Sequence, residues 1–311
     1  MKPPVLICGS FAFDTIAVFD GLFKDHILPD RIHSLSVSFL VPSMRREFGG
    51  CAGNIAYNLN LLGGQPVPVA TVGEDAGDYL SRFDALGIDT RMVKMIEGQL
   101  TAQCFITTDR SDNQISAFHP GAMAVSDQND VTGTDAKWAI VAPDSKEGMT
   151  AHAKRLHAQN IPFVFDLGQA MPLFDGLEMI DLFSQSRALT MNDYEASVVE
   201  QRTGQTMTQI AQNLEAVVIT RGAEGATLYH EGHETHIAPV TPTEVIDPTG
   251  CGDAHRAGLL YGLTSGWSWE NACKLGNLMG SIKIASRGPQ NHAPNRLVIS
   301  ESFHAAYGLH L

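Results

Sequence analysis

WAIVAP (138–143), IPFVFDLG (161–168), RALTMN (187–192) and AVVITRG (216–222) are four short apolar runs spaced along the middle of the chain. Each ends in Pro, Gly or Asn and is too short for a buried helix, so each reads as a strand covered on both faces. The segments between them read as helices. That alternation predicts an α/β fold, a doubly wound, mostly parallel sheet flanked by helices.

The pattern extends outward in both directions. PVLICGS (4–10) is a first strand, ending at Gly9-Ser10 on the edge that faces ligands in such sheets. GGCAGNIAYNLNLL (49–62) carries Ile55, Leu59 and Leu62 at helical spacing, and GGQP (63–66) stops it. VPVATVG (67–73) is another buried strand, and AGDYLSRFDALGI (76–88) an amphipathic helix closed by Gly87. Toward the C-terminus, ATLYHEGHETHIAP (226–239) reads as a hairpin, and 251–266 and 269–286 as the last two long helices. Two β-rich stretches fall outside the alternation. In 11–48, SLSVSFLV (34–41) has strand composition; in 92–119, TAQCFITTDRSDNQISAFH (101–119) reads as a hairpin turning at DRSDN. With no linker or repeat in view, residues 1–311 form one domain, with a small sheet inserted from about 11–48 and 92–119.

Composition narrows the function. In 311 residues, 44% are apolar and 18% charged, which suits a folded enzyme and not a disordered chain. A net charge of −13 disfavours nucleic acid and anionic membranes as partners, so an anionic substrate needs local donors. Cys8, Cys51, Cys104, Cys251 and Cys273 include no C-x-x-C pair, which suggests neither a disulfide framework nor a zinc knuckle and fits the reduced cytoplasm. No stretch reads as a signal segment or a membrane span.

Three segments carry chemistry. Asp247-Pro-Thr-Gly-Cys-Gly-Asp253 leads straight into a helix. Gly250 and Gly252 flank a small residue, so backbone amides and the helix N-terminus can converge as an anion hole. Asp253, on the first turn, is placed to accept a proton from an attacking hydroxyl. A glycine loop that merely starts a helix is the plainer alternative. In Phe48-Gly-Gly-Cys-Ala-Gly-Asn54, Gly49 and Gly50 permit close approach of a ligand, and Asn54 offers a donor and an acceptor; a tight turn explains the same residues. In Gly9-Ser-Phe-Ala-Phe-Asp14, Asp14 follows the first strand, either as an acceptor for a vicinal diol or as a solvated loop carboxylate.

Taken in order, these segments resemble the ribokinase or PfkB family of carbohydrate and nucleoside kinases over nearly the whole chain. The family pattern is G-x-x-x-x-D after an early strand, G-G-x-x-x-N opening a helix, and D-T-x-G-A-G-D late in the chain. The resemblance implies a ribokinase-like fold whose inserted sheet acts as a lid, with ATP and Mg²⁺ as cofactors. It assigns Asp253 as catalytic base, Gly250, Cys251 and Gly252 as the anion hole, and Asp14, Gly49, Gly50 and Asn54 as the acceptor site. Asn192 and Glu195 fall on the family's N-x-x-E, with Glu195 linked to Mg²⁺ through water; a helix cap and its N3 partner is the competing reading. Thr220 and Gly222 match the nucleotide-binding strand end, and Asn277 the helix beside adenine. Asp247 and Thr249 match a loop that in related enzymes holds a monovalent cation such as K⁺. The sequence departs from the pattern at Pro248, at Cys251, whose thiol at a helix N-terminus is expected to be reactive, and at His255, where Phe is frequent.

Acceptor identity rests on fewer residues. Phe165-Asp-Leu-Gly-Gln169 resembles the D-P-G-Q of nucleoside kinases, so Gln169 can bond a purine edge. Phe118 is placed either to stack on the base or to fill the hairpin core. The expectation is an ATP-dependent 5′-kinase for purine ribonucleosides, with a sugar kinase for ribose or a ketohexose as the alternative. Monomer and homodimer both remain open. His230, His233 and His236 in HEGHETH lack H-E-x-x-H spacing and read as a hairpin turn with His233 pointing away from its neighbours, not as a metal site.

Overall fold

The computed structural model describes residues 2–27, 33–111 and 113–311. Its strands are β1 (Pro4–Cys8), β2 (Ala12–Val18), β3 (Ser43–Gly49), β4 (Gln65–Val72), β5 (Val93–Met95), β6 (Ala102–Thr108), β7 (Gln114–His119), β8 (Trp138–Val141), β9 (Phe163–Phe165), β10 (Ala188–Asn192), β11 (Ala216–Thr220), β12 (Ala226–His230) and β13 (His233–Ile237). Its helices are α1 (Cys51–Leu61), α2 (Gly77–Ala85), α3 (Lys146–Ala158), α4 (Gly176–Gln185), α5 (Asp193–Thr203), α6 (Met207–Ala211), α7 (Cys251–Thr264), α8 (Trp269–Ile284) and α9 (Arg296–Tyr307).

Nine strands form one sheet in the order β13-β12-β11-β10-β9-β8-β1-β4-β5, and the pairs from β11 through β5 are parallel. Strand residues alternate between two cores, as the period of two requires. Val5 and Ile7 face α1, α2 and α7–α9, while Leu6 and Cys8 face α3–α6. The fold is therefore the doubly wound α/β sheet expected. β1 pairs with β4 on one side and β8 on the other, so strand order reverses beside β1. Loops at the carboxyl ends of strands diverge at such a point and leave a crevice.

A second sheet has the order β3-β2-β6-β7. Its base is fixed by aromatic packing on α2. Tyr79 stacks on Phe11 at 4.6 Å between centroids and meets Phe13 and Phe48 at 5.7 and 4.9 Å. Asp14 pairs across the ladders with Glu47 and Cys104, and Cys104 with Phe118. Paired residues point to the same face, so Phe118 shares a face with Asp14, and its ring is half exposed.

Several expectations are corrected. Residues 35–41 make no ladder. Phe39 packs instead against Phe19 and Phe23, at 4.8 and 5.1 Å. The strand is β3, whose charged residues Arg45, Arg46 and Glu47 hid it. Residues 93–95, expected in the small sheet, extend the large one beside β4. The β6–β7 hairpin forms as expected, although Asp112 of its turn lies outside the described residues, as do residues 28–32 of the first β-rich stretch. His233 does not point away from its neighbours: it lies opposite His230 in the β12–β13 ladder, while His230 Nδ1 donates to the Glu215 carbonyl at 2.7 Å.

Candidate active site

The site assembles where α7 begins. Gly250 has φ +80 and caps the helix, and a Cβ there would come within 2.8 Å of Pro289. The left-handed turn this glycine allows starts α7 beside a cavity of about 420 Å³ that Gly250 and Gly252 line, while the Cys251 N–H between them donates to the Pro248 carbonyl. Gln169, Asn192, Glu195, Gly252, Asp253 and Arg256 line it. Thr220 and Gly222 at the end of β11, and Gly250 before α7, also line it.

Asp253 is 9% exposed and bonded from the opposite helix, its Oδ2 accepting from Asn54 Nδ2 at 2.8 Å. Asn54 is held in turn. Its Oδ1 accepts from Gln290 Nε2 at 3.0 Å, Gln290 Nε2 also lies 2.6 Å from the Tyr79 hydroxyl, and that hydroxyl donates to the Gly49 carbonyl at 2.7 Å. Burial pushes the Asp253 carboxyl up to about 6, with Arg256 and Asn54 holding it down and Asp166 pushing it further up. A carboxylate in that range is ionised at neutral pH yet basic enough to take a hydroxyl proton.

Arg256, three residues on, reaches under the anion hole. A Cβ on Gly252 would lie 2.4 Å from its Nη1, so a larger residue there would make this guanidinium shift. Its other contacts go to Asp166 at the end of β9: Nη2 donates to Oδ1 at 2.8 Å and Nε meets Oδ2. Burial works against the Arg256 charge, but the Asp166 ion pair and hydrogen bonds more than offset it. A permanent cation thus stands beside the amides that would receive a phosphoryl group.

Beyond Gly252 a second cavity of about 420 Å³ opens, lined by Thr220, Gly222, Val240, Cys251, His255 and Asn277 among others. The two cavities share Thr220, Gly222 and Gly252, so the start of α7 lies where they meet. Asn277 lines the second cavity, and its Nδ2 donates to the carbonyls of Ile237 and Ala238 at 3.2 and 3.0 Å, anchoring β13. His255 is buried there against Gly276.

Asn192 and Glu195 form a reciprocal cap at the start of α5, each donating its backbone N–H to the other's side chain at 2.8 Å. Glu195 still faces the first cavity, and its Oε1 makes no hydrogen bond to the described residues, so a hydrated cation fits against it. Gly50 has φ +85, and a Cβ would lie 2.5 Å from the Ser10 carbonyl; a Cβ on Gly49 would lie 2.5 Å from Asp14 Oδ2. Backbone packing thus requires glycine at position 50, as the tight-turn alternative has it, while a side chain at position 49 would displace the Asp14 carboxylate. Burial, with Glu47 and Asp247 nearby, pushes Asp14 up to about 6. Asp14, Asn54 and Phe118 line neither of the two cavities; Asp14 and Phe118 lie on one face of the small sheet. The Asp247 carboxylate accepts from the N–H groups of Thr249 and Gly288 at 2.9 and 2.8 Å. Burial pushes the Cys251 thiol up to about 11, with Lys283 opposing the shift and Asp247 and Asp253 adding to it, against the expected reactivity.

Sequence reasoning missed Arg256, Asp166, Gln290 and Tyr79. Arg256 had a signal, since it lies one helical turn after Asp253 and faces the same way. Gln290 and Tyr79 had none, being 211 residues apart in sequence.

Residues 14–296 match the model of the pfkB family carbohydrate kinases. The chain is similar to the nucleoside kinase of Burkholderia thailandensis solved with inosine, at 48% identity, covering 98% of this chain and 99% of that one, with a TM-score of 0.90. It is 26% identical to the nucleoside kinase of Methanocaldococcus jannaschii over 83% of this chain and 86% of that protein. To the ribokinase of Bacillus subtilis it is 26% identical over 96% of this chain and 98% of the other.

Proposed function

The chain belongs to the pfkB family of carbohydrate kinases, and on that premise we propose that it is an ATP-dependent nucleoside 5′-kinase acting on purine ribonucleosides such as adenosine, inosine or guanosine. Membership makes it a phosphotransferase with an alcohol acceptor. The observation that carries the finer reading is the Asp253 carboxylate, held by Asn54 at the mouth of the anion hole. The inosine complex of a 48% identical relative supports the choice of acceptor.

In this reading ATP lies along the second cavity, with its adenine beside Asn277 and its terminal phosphate at Gly250–Gly252. Asp14 and the remaining N–H of Asn54 hold the ribose diol, and Gln169 and Phe118 contact the base. Asp253 takes the proton of the 5′-hydroxyl as that oxygen attacks the γ-phosphorus in line. The bond from the γ-phosphorus to the bridging oxygen breaks, and ADP leaves with the electron pair. The helix amides and Arg256 balance the charge on the transferred group. Mg²⁺, which Glu195 would hold through water, supplies neutralisation of the phosphate oxygens when bound. The small sheet closes over the acceptor and excludes water. Among the described residues no helix is long and apolar enough to cross a membrane, and all five cysteines are free, which suits work in the cytoplasm.

The similarity to a ribokinase supports a second reading, a kinase for ribose or a ketohexose. A panel of nucleosides and free sugars with ATP, analysed for phosphorylated product, separates the two. Nucleoside 5′-monophosphates are expected, with inosine, guanosine or adenosine well ahead of ribose. Preferred turnover of a free sugar overturns the nucleoside assignment, and ATP binding without product from any acceptor overturns the kinase assignment.

A further inference from the structure

Lys283, near the C-terminal end of α8, is fully buried. Its Nζ donates to two main-chain carbonyls, those of Asp247 at 2.8 Å and Ser286 at 2.9 Å. The same junction is laced by backbone bonds, since the N–H groups of Ile246 and Asp247 both donate to the Ile284 carbonyl. The Asp247 carboxylate closes it from the other side through Thr249 and Gly288. This knot leads directly into the anion hole, because the Cys251 N–H donates to the Pro248 carbonyl at 3.1 Å as α7 begins.

A monovalent cation expected at Asp247 and Thr249 does not fit these residues. Both Asp247 carboxylate oxygens are engaged by N–H groups, and its carbonyl is engaged by an ammonium. A free cation bound to the same carbonyl would stand beside the like charge of the Lys283 ammonium. We propose that Lys283 takes the part of that cation, its ammonium ordering the Asp247–Thr249 loop and through it the Gly250–Gly252 amides, so that phosphoryl transfer needs no added monovalent ion. Lys283 is a positioning residue; it acts through the loop and not on the phosphate.

The inference rests on the kinase reading, so its test has a second readout that does not depend on turnover. Wild-type protein is assayed, and its thermal unfolding followed, in potassium, sodium and tetramethylammonium chloride at one ionic strength. Rate and Tm are expected to agree across the three salts within about twofold and within error. In Lys283→Met, kcat is expected to fall by about tenfold or more with nucleoside KM nearly unchanged, and K⁺ or NH₄⁺, but not tetramethylammonium, is expected to restore part of kcat and Tm. Wild-type stimulation by K⁺ of about fivefold or more overturns the inference, whatever the variant does. So does a folded variant with full turnover in tetramethylammonium, or one that no ion improves in either rate or Tm, which would assign Lys283 to packing alone. Should Lys283→Met not fold, the wild-type ion series decides by itself. Wild type that phosphorylates nothing refutes the kinase reading, while its Tm series still tests the ion independence.

Discussion

Asp253 combines two demands that oppose each other. In the proposed role of base its carboxylate must be near the transferred phosphoryl group and away from water, yet burial penalises the charge it needs. The carboxyl settles at about 6, so the ionised base is lost as pH falls through that value. The profile of kcat/KM for the nucleoside is expected to drop at least about tenfold per pH unit below 6, since Asp14, also pushed up to about 6, titrates in the same range, measured with ATP saturating. Asp253→Asn is expected to lower kcat by about 10²-fold or more while leaving nucleoside KM within a few fold. The same variant tests stability. A carboxyl raised from 3.8 to about 6 binds its proton more tightly folded than unfolded, so its contribution to stability falls as pH rises from about 4 to 6. Removing the charge is therefore expected to stabilise the fold above pH 6, by at most about 3 kcal/mol, and by little near pH 4, in urea unfolding at both pH values. At this scale Asp253 was legible in the sequence, because glycines before a helix start and a carboxylate on its first turn are local features. Arg256 was visible only as a residue one turn on; its ion pair with Asp166 spans 90 residues.

Elements place what residues perform. The helix α1 starts where it does because Gly50 lets the chain turn with φ +85 against the Ser10 carbonyl, which sets Asn54 at its distance from Asp253. Gly50→Ala is expected to cost at least about 1–2 kcal/mol from the left-handed backbone alone, and to lower kcat by displacing Asn54. Unfolding and steady-state kinetics on one preparation measure both. Register sets Asp14, Cys104 and Phe118 of the small sheet in one cross-strand row, the face proposed to meet the acceptor. Phe118→Ala is expected to raise KM for purine nucleosides several-fold, with little effect on any activity toward ribose, in the same assay. Hairpins and long helices were readable from period and turn chemistry. Strand β3 was not, because SMRREFG looks like a charged loop until its ladder with β2 is seen.

On the scale of the molecule, the proposed chemistry lies where the two cavities meet at the start of α7. A ligand that binds the folded protein and not the unfolded chain raises its stability by mass action. Inosine at about 100 times its Kd is expected to raise unfolding stability by about 2.7 kcal/mol in thermal melts, and free ribose at the same concentration by much less. Equal shifts would favour the sugar-kinase reading. The sequence alone determined the parallel sheet, the helix that opens on Gly250, and the carboxylate beside it, because each rests on periodicity or on backbone freedom within a few residues. Only the tertiary structure decided that Asn54 grips Asp253, that Arg256 underlies the hole, and that a buried ammonium holds the Asp247 loop. Those contacts join residues far apart in the chain, and their energies come from burial and pairing, which exist only once the layers have packed.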